Sequence, residues 1–467
     1  FTLGLSAVRL FPMTQIVELP LWLFVLILLF AAVTALSHFL LPSVRWFFRR
    51  RLERAVKKLN TRLTRPIEPF KLARRYDMIQ RLIYDPEVTR ARVNHAERNN
   101  VPENVAFEKA RRYAREIVPS FSALAYFGFA IRIARWLGNT FYDVRTGPEN
   151  DERLAKLSPD ATVIFIMNHR SNMDYVLVTY LAARASALSY AVGEWARVWP
   201  LTRLIKSMGA YFIRRKARGA LYRRVLAGYV QMATEGGVTQ AVFPEGGLSL
   251  NGRLMPPKMG LLSYILEGFD PNEGRDVMFV PVAINYDRVL EDRVLIAANE
   301  RGDRKFGGKV SVVFKFVVHR TWQRFRGKKF QFGTAAVTFG EPVSLRDYKT
   351  TPDAESLATD LMTRIEDVMP VVVVPLLARA LLAGDLPCDD TNLQAVLDAQ
   401  LSASTVKTSI VPPSELIAVA NHALAQLAER EIVELKDGAW SILPNNRPVL
   451  TFYASSIAHY YKGEEGA

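Results

Sequence analysis

The hydrophobic pattern changes character three times along the chain. Between Glu18 and Arg45 there is no charged residue, and Leu21–Leu41, bounded by Pro20 and Pro42, is 21 mostly apolar residues. As a helix this stretch measures about 31 Å, the thickness of a bilayer core. Three placements fit it: a membrane span, a buried core helix, or a helix lying in the interface by way of Thr34, Ser37 and His38. A signal peptide would have basic residues before its apolar core, whereas here they follow it.

Residues 72–146 have helical periodicity. Ala106–Ile117 carries charges of both signs, Pro119 interrupts, and Phe121–Leu137 is aromatic-rich and amphipathic, with Arg132 and Arg135 on its polar side. Both core packing and a lipid-binding face suit that stripe. From Ala161 to Val343 the pattern switches to short apolar runs, the mark of buried strands. They are Thr162–Met167, Ser189–Val192, Tyr211–Ile213, Thr239–Phe243, Met278–Ile284, Val310–Val318 and Ala335–Phe339, with helices between several of them, such as Gly219–Gly236. After Tyr348 helices return at Ala354–Val368, Val371–Leu382 and Ser414–Ala428, followed by a hairpin of Ile432–Leu435, Asp437-Gly438 and Ala439–Leu443.

Strands alternating with helices predict an α/β fold, a largely parallel mixed sheet flanked by helices. A helical membrane-associated region precedes it and a mainly helical domain follows. The expected organisation is an apolar membrane segment over 1–44, a basic helical region over 45–150, an α/β domain over 151–348 and a C-terminal domain with a winged-helix-like hairpin over 349–467.

Charge sharpens both ends. Lys and Arg exceed Asp and Glu by 61 − 46 = 15, which suits a polyanionic partner. Arg45–Arg75 holds twelve Lys or Arg against Glu53 and Glu68. Such a flank directly after an apolar span places it on the cytoplasmic side, facing anionic lipids. From Gly384 onward the balance reverses, 5 − 11 = −6, the wrong sign for nucleic-acid phosphates, so the winged-helix outline reads as a packing module. The single Cys388 excludes an internal disulfide and fits a reducing compartment, and six scattered histidines give no metal cluster.

The chemistry gathers at the ends of predicted strands, where open α/β sheets bind ligands. The first cluster is Asn168-His169-Arg170-Ser171-Asn172-Met173-Asp174. Across a strand-to-helix turn this spacing can bring the carboxylate to the imidazole Nδ1–H, freeing Nε2 to accept a proton. Equally, Asp174 could only cap its helix. The second cluster runs from Gly209 to Arg214 and Arg215, with Arg suited to phosphate recognition. The third is Glu245-Gly246-Gly247-Leu248-Ser249 followed by Arg253 and Lys258, and the fourth begins Pro281-Val282 and runs to Tyr286. Gly247–Asn251 is not a nucleophile elbow, since its last position is Asn.

Taken in order, the four clusters resemble the blocks of the glycerolipid H-x4-D acyltransferases, and most closely the membrane-bound glycerol-3-phosphate acyltransferases of bacteria and mitochondria. Arg112-Tyr-Ala-Arg-Glu-Ile-Val and the terminal Phe452-Tyr-Ala-Ser-Ser-Ile-Ala-His459 share in the resemblance. The resemblance implies acyl transfer from acyl-CoA or acyl-carrier protein to the 1-hydroxyl of glycerol 3-phosphate, without a further cofactor, at the cytoplasmic face of an inner membrane. His169 would be the general base and Asp174 its orienting partner. Arg170, Lys206, Gly209, Arg214, Arg215, Glu245, Gly246, Gly247, Ser249, Arg253, Lys258 and Pro281 would form the substrate site. Two family arginines flanking the serine are Leu248 and Leu250 here, so other cations must meet the phosphate. Arg-Arg at the end of the second block favours glycerol 3-phosphate over lysophosphatidate. Acyl transfer to lysophosphatidate or dihydroxyacetone phosphate, and a non-catalytic membrane adaptor, are the competing readings.

Overall fold

A computed structural model of the chain describes residues 20–30, 50, 54, 56–61, 63, 65–181, 187–193, 201–214, 219–302, 331–348, 350–406 and 410–461. The chain divides into two compact units, 1–62 and 63–467. In the first, residues 21–30 form a helix whose apolar side chains are largely exposed, Trp22 and Phe30 among them. Among the described residues no helix is long and apolar enough to cross a membrane; positions 31–41 of the apolar stretch lie outside them.

The second unit is built on an eight-stranded sheet. Its strands are β1 (Asp143–Thr146), β2 (Thr162–Met167), β3 (Ser189–Gly193), β4 (Tyr211–Ile213), β5 (Gln240–Val242), β6 (Val277–Tyr286), β7 (Thr334–Phe339) and β8 (Val343–Ser344). The order is β1-β7-β6-β2-β5-β3-β4, with β8 against β6. Pairing is parallel except where β6 meets β7 and β8. The central β2 is buried along its whole length, and the two-residue period of a strand sends its side chains into separate cores. Val163, Phe165 and Met167 join one, shared with the C-terminal helices Val373–Ala383 and Arg447–Ala454. Ile164 and Ile166 join the other, shared with Arg75–Ile83, Glu103–Ile117, Ala220–Glu235 and Ala354–Asp367. Helices from before, between and after the strands therefore cover the two faces of one sheet.

Three expectations change. The polar edge strand β1 has no apolar run to announce it, yet it pairs with β7 from Asp143↔Thr334 to Thr146↔Val337. Phe121–Leu137 is two elements, a π-helix over Leu124–Ala130 and an α-helix over Ile131–Phe141. The basic flank is in part spent inside the fold. Arg65 donates to the carbonyls of Ser158, Pro159 and Ala161, and Arg75 to those of Val118 and Arg115. Lys71 is fully buried, bonds the Ala187 carbonyl at 2.5 Å and lies over the rings of Phe121 and Tyr126. Burial holds its pKa well below the ordinary lysine value. The expected strand Val310–Val318 lies outside the described residues. In the C-terminal part β10 (Val433–Lys436) and β11 (Ala439–Ile442) form the hairpin, and β9 (Leu386–Pro387) joins β11. Asp437 and Gly438, at φ 51° and 80°, make the two-residue turn that this register needs.

Candidate active site

β2 ends at Met167, and Asn168 extends its ladder with a side chain. The Asn168 carboxamide accepts from Ile284 N (2.8 Å) and donates to Ile284 O (2.9 Å), so the strand pairing continues one step beyond the backbone. The chain then turns, and a helix over Asp174–Leu181 begins. Asp174 is at 0% exposure, a position at which a carboxylate must be fully hydrogen-bonded. Its Oδ2 accepts from Arg170 N (2.8 Å) and Ser171 N (3.1 Å) and lies 2.8 Å from His169 Nδ1, while Oδ1 accepts from the Tyr286 hydroxyl at 2.5 Å. Asp174 therefore does not cap its own helix: its carboxylate gathers the amides of the loop before it and the imidazole, and among the described residues no bond to the first helical turn competes. An ionised Asp174 can only accept, so it selects the His169 tautomer with the proton on Nδ1. Nε2, which has no hydrogen-bond partner among the described residues, is left as an acceptor. The ring rests on Phe243 (centroids 4.2 Å) and meets Tyr175 edge-on (5.5 Å).

The loop around His169 is held on every side. Glu245, fully buried, accepts from His169 N (2.7 Å) with one oxygen and from Met255 N (2.9 Å) with the other. Ser249 N donates to His169 O (2.9 Å), and the Ser249 hydroxyl donates to Arg253 O (2.6 Å). Glu291 accepts from the Ser171 hydroxyl (2.8 Å) and from Asn172 Nδ2 (2.9 Å). Arg170, also buried, donates to Gly252 O (2.6 Å) and, at 3.5 Å, to Ser456 O of the C-terminal segment. Burial pulls its guanidinium down to about 10, which leaves it cationic at neutral pH beside Glu245 and Asp174.

These placements alter the picture of the substrate site. Arg170, Glu245 and Ser249 are occupied by protein partners and shape the loop. Pro281 is inside the sheet, opposite Ile166 and against Gly340, because β6 continues five residues beyond it. The fourth cluster reaches the site through Tyr286 instead. In the second cluster, Arg214 is bonded through Nε and one terminal nitrogen to both oxygens of Glu116 (2.7 and 2.5 Å), and Lys206 donates to Arg115 O (3.0 Å). Gly209, at φ +91°, permits a close turn beside Phe121 and Lys71. Arg215 lies outside the described residues. Gly246 and Gly247 open the third cluster, and a Cβ on Gly246 would sit 2.8 Å from Lys258 Cδ, so the Lys258 stem lies across that turn. Arg253 and Lys258 are exposed. Leu250 is buried in the apolar core and the half-buried Leu248 packs against that core. Tyr286 ends the fourth cluster and Phe243 a predicted strand, but neither is assigned to the site from sequence, and Glu291 is in no cluster. Glu291 reaches its partners across about 120 positions, with no local signal.

Burial pushes the Glu245 carboxyl up to about 7, against the pull of its two N–H donors and Arg170. A carboxyl whose folded pKa exceeds its unfolded one takes up a proton on folding. Its contribution to stability is full below the unfolded value of 4.5 and is lost as pH rises through about 7. Glu245→Gln should therefore narrow its stability deficit against the wild type over that window, by up to about 1.4 kcal/mol per pH unit, as read from urea unfolding curves. A deficit constant with pH would show that Glu245 stays ionised.

Comparison with known proteins follows the same lines. Residues 147–285 match the family described as Acyltransferase, and residues 321–462 match the glycerol-3-phosphate acyltransferase C-terminal region. Glycerol-3-phosphate acyltransferase of Pseudomonas syringae pv. tomato is 27% identical over 84% of this chain and 49% of its own length. That of Pseudomonas fluorescens is 28% identical over the same shares. The chain spans about half the length of these relatives. A solved 1-acyl-sn-glycerophosphate acyltransferase from Thermotoga maritima is similar at 19% identity and a TM-score of 0.32, over 51% of this chain and 76% of that one; at that score it has no bearing on the site. Residues 147–285 are thus similar to the acyltransferases, residues 321–462 to the C-terminal region of glycerol-3-phosphate acyltransferases, and the order of the two along the chain is that of the four clusters and the segment that follows them.

Proposed function

We propose that the chain transfers a fatty acyl group from a thioester, acyl-CoA or acyl-carrier protein, to the 1-hydroxyl of glycerol 3-phosphate, giving lysophosphatidate. The observation that carries this reading is the His169–Asp174 pair at the end of β2, with Nδ1 held by the carboxylate and Nε2 without a hydrogen-bond partner among the described residues. Nε2 takes the proton of the acceptor hydroxyl as its oxygen bonds to the thioester carbonyl carbon. The tetrahedral adduct then expels the thiolate, which recovers the proton from the imidazolium. No acyl-enzyme is formed, and no cofactor is required. General-base action of this kind contributes about 10²–10⁴ in rate.

The acceptor's phosphate is assigned to Lys258 and Arg253, the exposed cations of the third cluster, with Arg215 as a further candidate. Arg214 is committed to Glu116. Lys258→Ala is expected to raise KM for glycerol 3-phosphate about tenfold with a smaller change in kcat, the loss of one charged contact. A change in kcat alone would put Lys258 elsewhere in the cycle. The uncharged stretch before Arg45 and the basic residues after it support attachment to anionic lipid at the cytoplasmic face of the cell membrane.

Supplying labelled acyl-CoA with glycerol 3-phosphate, lysophosphatidate or dihydroxyacetone phosphate tests the assignment. Glycerol 3-phosphate should give the highest kcat/KM. A preference for either other acceptor would replace the substrate, and no transfer to any of them would favour the adaptor reading.

A further inference from the structure

From Val118 to Tyr142 the sequence contains no acidic residue. This is the stretch that folds as the π-helix and the helix after it, where Ile131 N bonds Tyr126 O five residues back. One face of the pair is satisfied. Ala134 and Gly138 are buried, and a Cβ on Gly138 would lie 3.5 Å from Leu177 of the helix that begins at Asp174. The opposite face is open, with Leu124 72%, Phe129 52%, Trp136 43% and Ile133 37% exposed. Phe129, Ile133 and Trp136 follow helical spacing, and the five-residue π-turn stands between Leu124 and Phe129. Arg132 and Arg135 flank this stripe, and the two arginines, Trp136 and Asn139 line a groove of about 480 Å³.

Isolated exposed apolar residues are ordinary, but four on one face of adjoining helices are not. Two arginines, with no acidic residue among the described residues that line the groove, select the occupant. A protein partner of mixed charge would have nothing to pair with but the arginines. An anionic bilayer matches both halves, with acyl chains against the apolar stripe and lipid phosphates at the guanidinium groups, whose stems reach up to the interface.

We infer that the Leu124–Asn139 face is an interfacial membrane-docking surface, inserting Leu124, Phe129, Ile133 and Trp136 into an anionic leaflet while Arg132 and Arg135 bind its phosphates. It belongs to the unit that carries His169, and is distinct from the apolar segment at 21–41. The helix beneath it starts at Asp174, so docking sets the site's orientation toward the leaflet into which an acylated product would pass. The inference is independent of the acyl-transfer reading: it concerns lipid contact alone, and its failure would leave that reading standing.

The test uses the full chain with Cys388→Ser, so that one introduced cysteine carries an environment-sensitive fluorophore at Phe129→Cys, or at Lys436→Cys on the exposed hairpin as a control. Vesicles are phosphatidylcholine alone or mixed in equal parts with phosphatidylglycerol, with and without a lipid-borne quencher. On mixed vesicles the fluorophore at 129 should shift to the blue and be quenched from within the bilayer, while that at 436 should do neither. Arg132→Gln with Arg135→Gln should weaken binding to mixed vesicles about tenfold and leave the weak binding to phosphatidylcholine unchanged, as two charges at an anionic surface require. A fluorophore at 129 that stays solvated on protein-bearing vesicles would overturn the proposal. So would one already shielded without lipid, which would show the face covered by a second copy or by another part of this chain.

Discussion

Replacing His169 with alanine is expected to lower acyl transfer to glycerol 3-phosphate by about 10²–10⁴-fold while the protein remains folded. The distinction between these two outcomes rests on what the imidazole does in the structure. Asp174 would keep Arg170 N, Ser171 N and the Tyr286 hydroxyl after the substitution, so no buried charge is stranded. The ring's remaining contacts are with Phe243 and Tyr175, and their loss leaves a cavity that costs about 2–4 kcal/mol in a unit with two large cores. A mutant with native circular dichroism and no product supports the role. Asp174→Asn would separate orientation from presence. An amide placed 2.8 Å from Nδ1 can donate and so admits the wrong tautomer. It would reduce transfer by a comparable factor, measured as labelled lysophosphatidate per mole of folded protein.

The second large effect is structural. Gly252 is at φ +83°, and a Cβ built there would overlap the Phe452 carbonyl oxygen of the C-terminal segment. Backbone cannot yield as a flexible side-chain end can. Gly252→Ala should therefore cost the left-handed conformation, about 1–2 kcal/mol, and the overpacking against Phe452, about 1–3 kcal/mol more. Gly274 provides the contrast, since it has φ +76° with nothing near its Cβ, so Gly274→Ala should show the conformational part alone. Urea unfolding of both gives the difference. Because Gly252 O also receives Arg170 Nη1, the damage in Gly252→Ala extends to the loop that holds His169. Equal destabilisation of the two mutants would mean that the C-terminal segment does not press on the third cluster.

That contact shows what a linear pattern can and cannot reveal. β2 was legible because five successive apolar residues, Val163–Met167, read as a strand buried on both faces. The His169–Asp174 spacing was legible because a strand end and a helix start fix the geometry between them. Arg214 reads as a phosphate ligand until Glu116 is seen opposite it, 98 positions earlier. Pro281 enters the substrate site through the resemblance, although the apolar pattern already carries its strand on to Ile284; β6 runs two residues further and delivers Tyr286. Glu245 falls in the expected substrate site beside two glycines, whereas it is buried and clamps the His169 amide. Arg214 and Glu245 are polar side chains whose partners are distant in sequence, a relation that periodicity does not encode. The polar β1 went unseen for the complementary reason, since an edge strand needs only backbone partners.

The central claim is direct transfer, with His169 activating the acceptor and no acyl group resting on the protein. Incubating the chain with acyl-labelled acyl-CoA, then following free thiol, protein-bound label and lysophosphatidate before and after adding glycerol 3-phosphate, tests it most directly. The predicted result is no thiol release and no labelled protein until the acceptor is added. Thiol and lysophosphatidate then appear in equal amounts, and His169→Ala produces neither. A burst of thiol with label retained on the protein in the absence of acceptor would contradict the account.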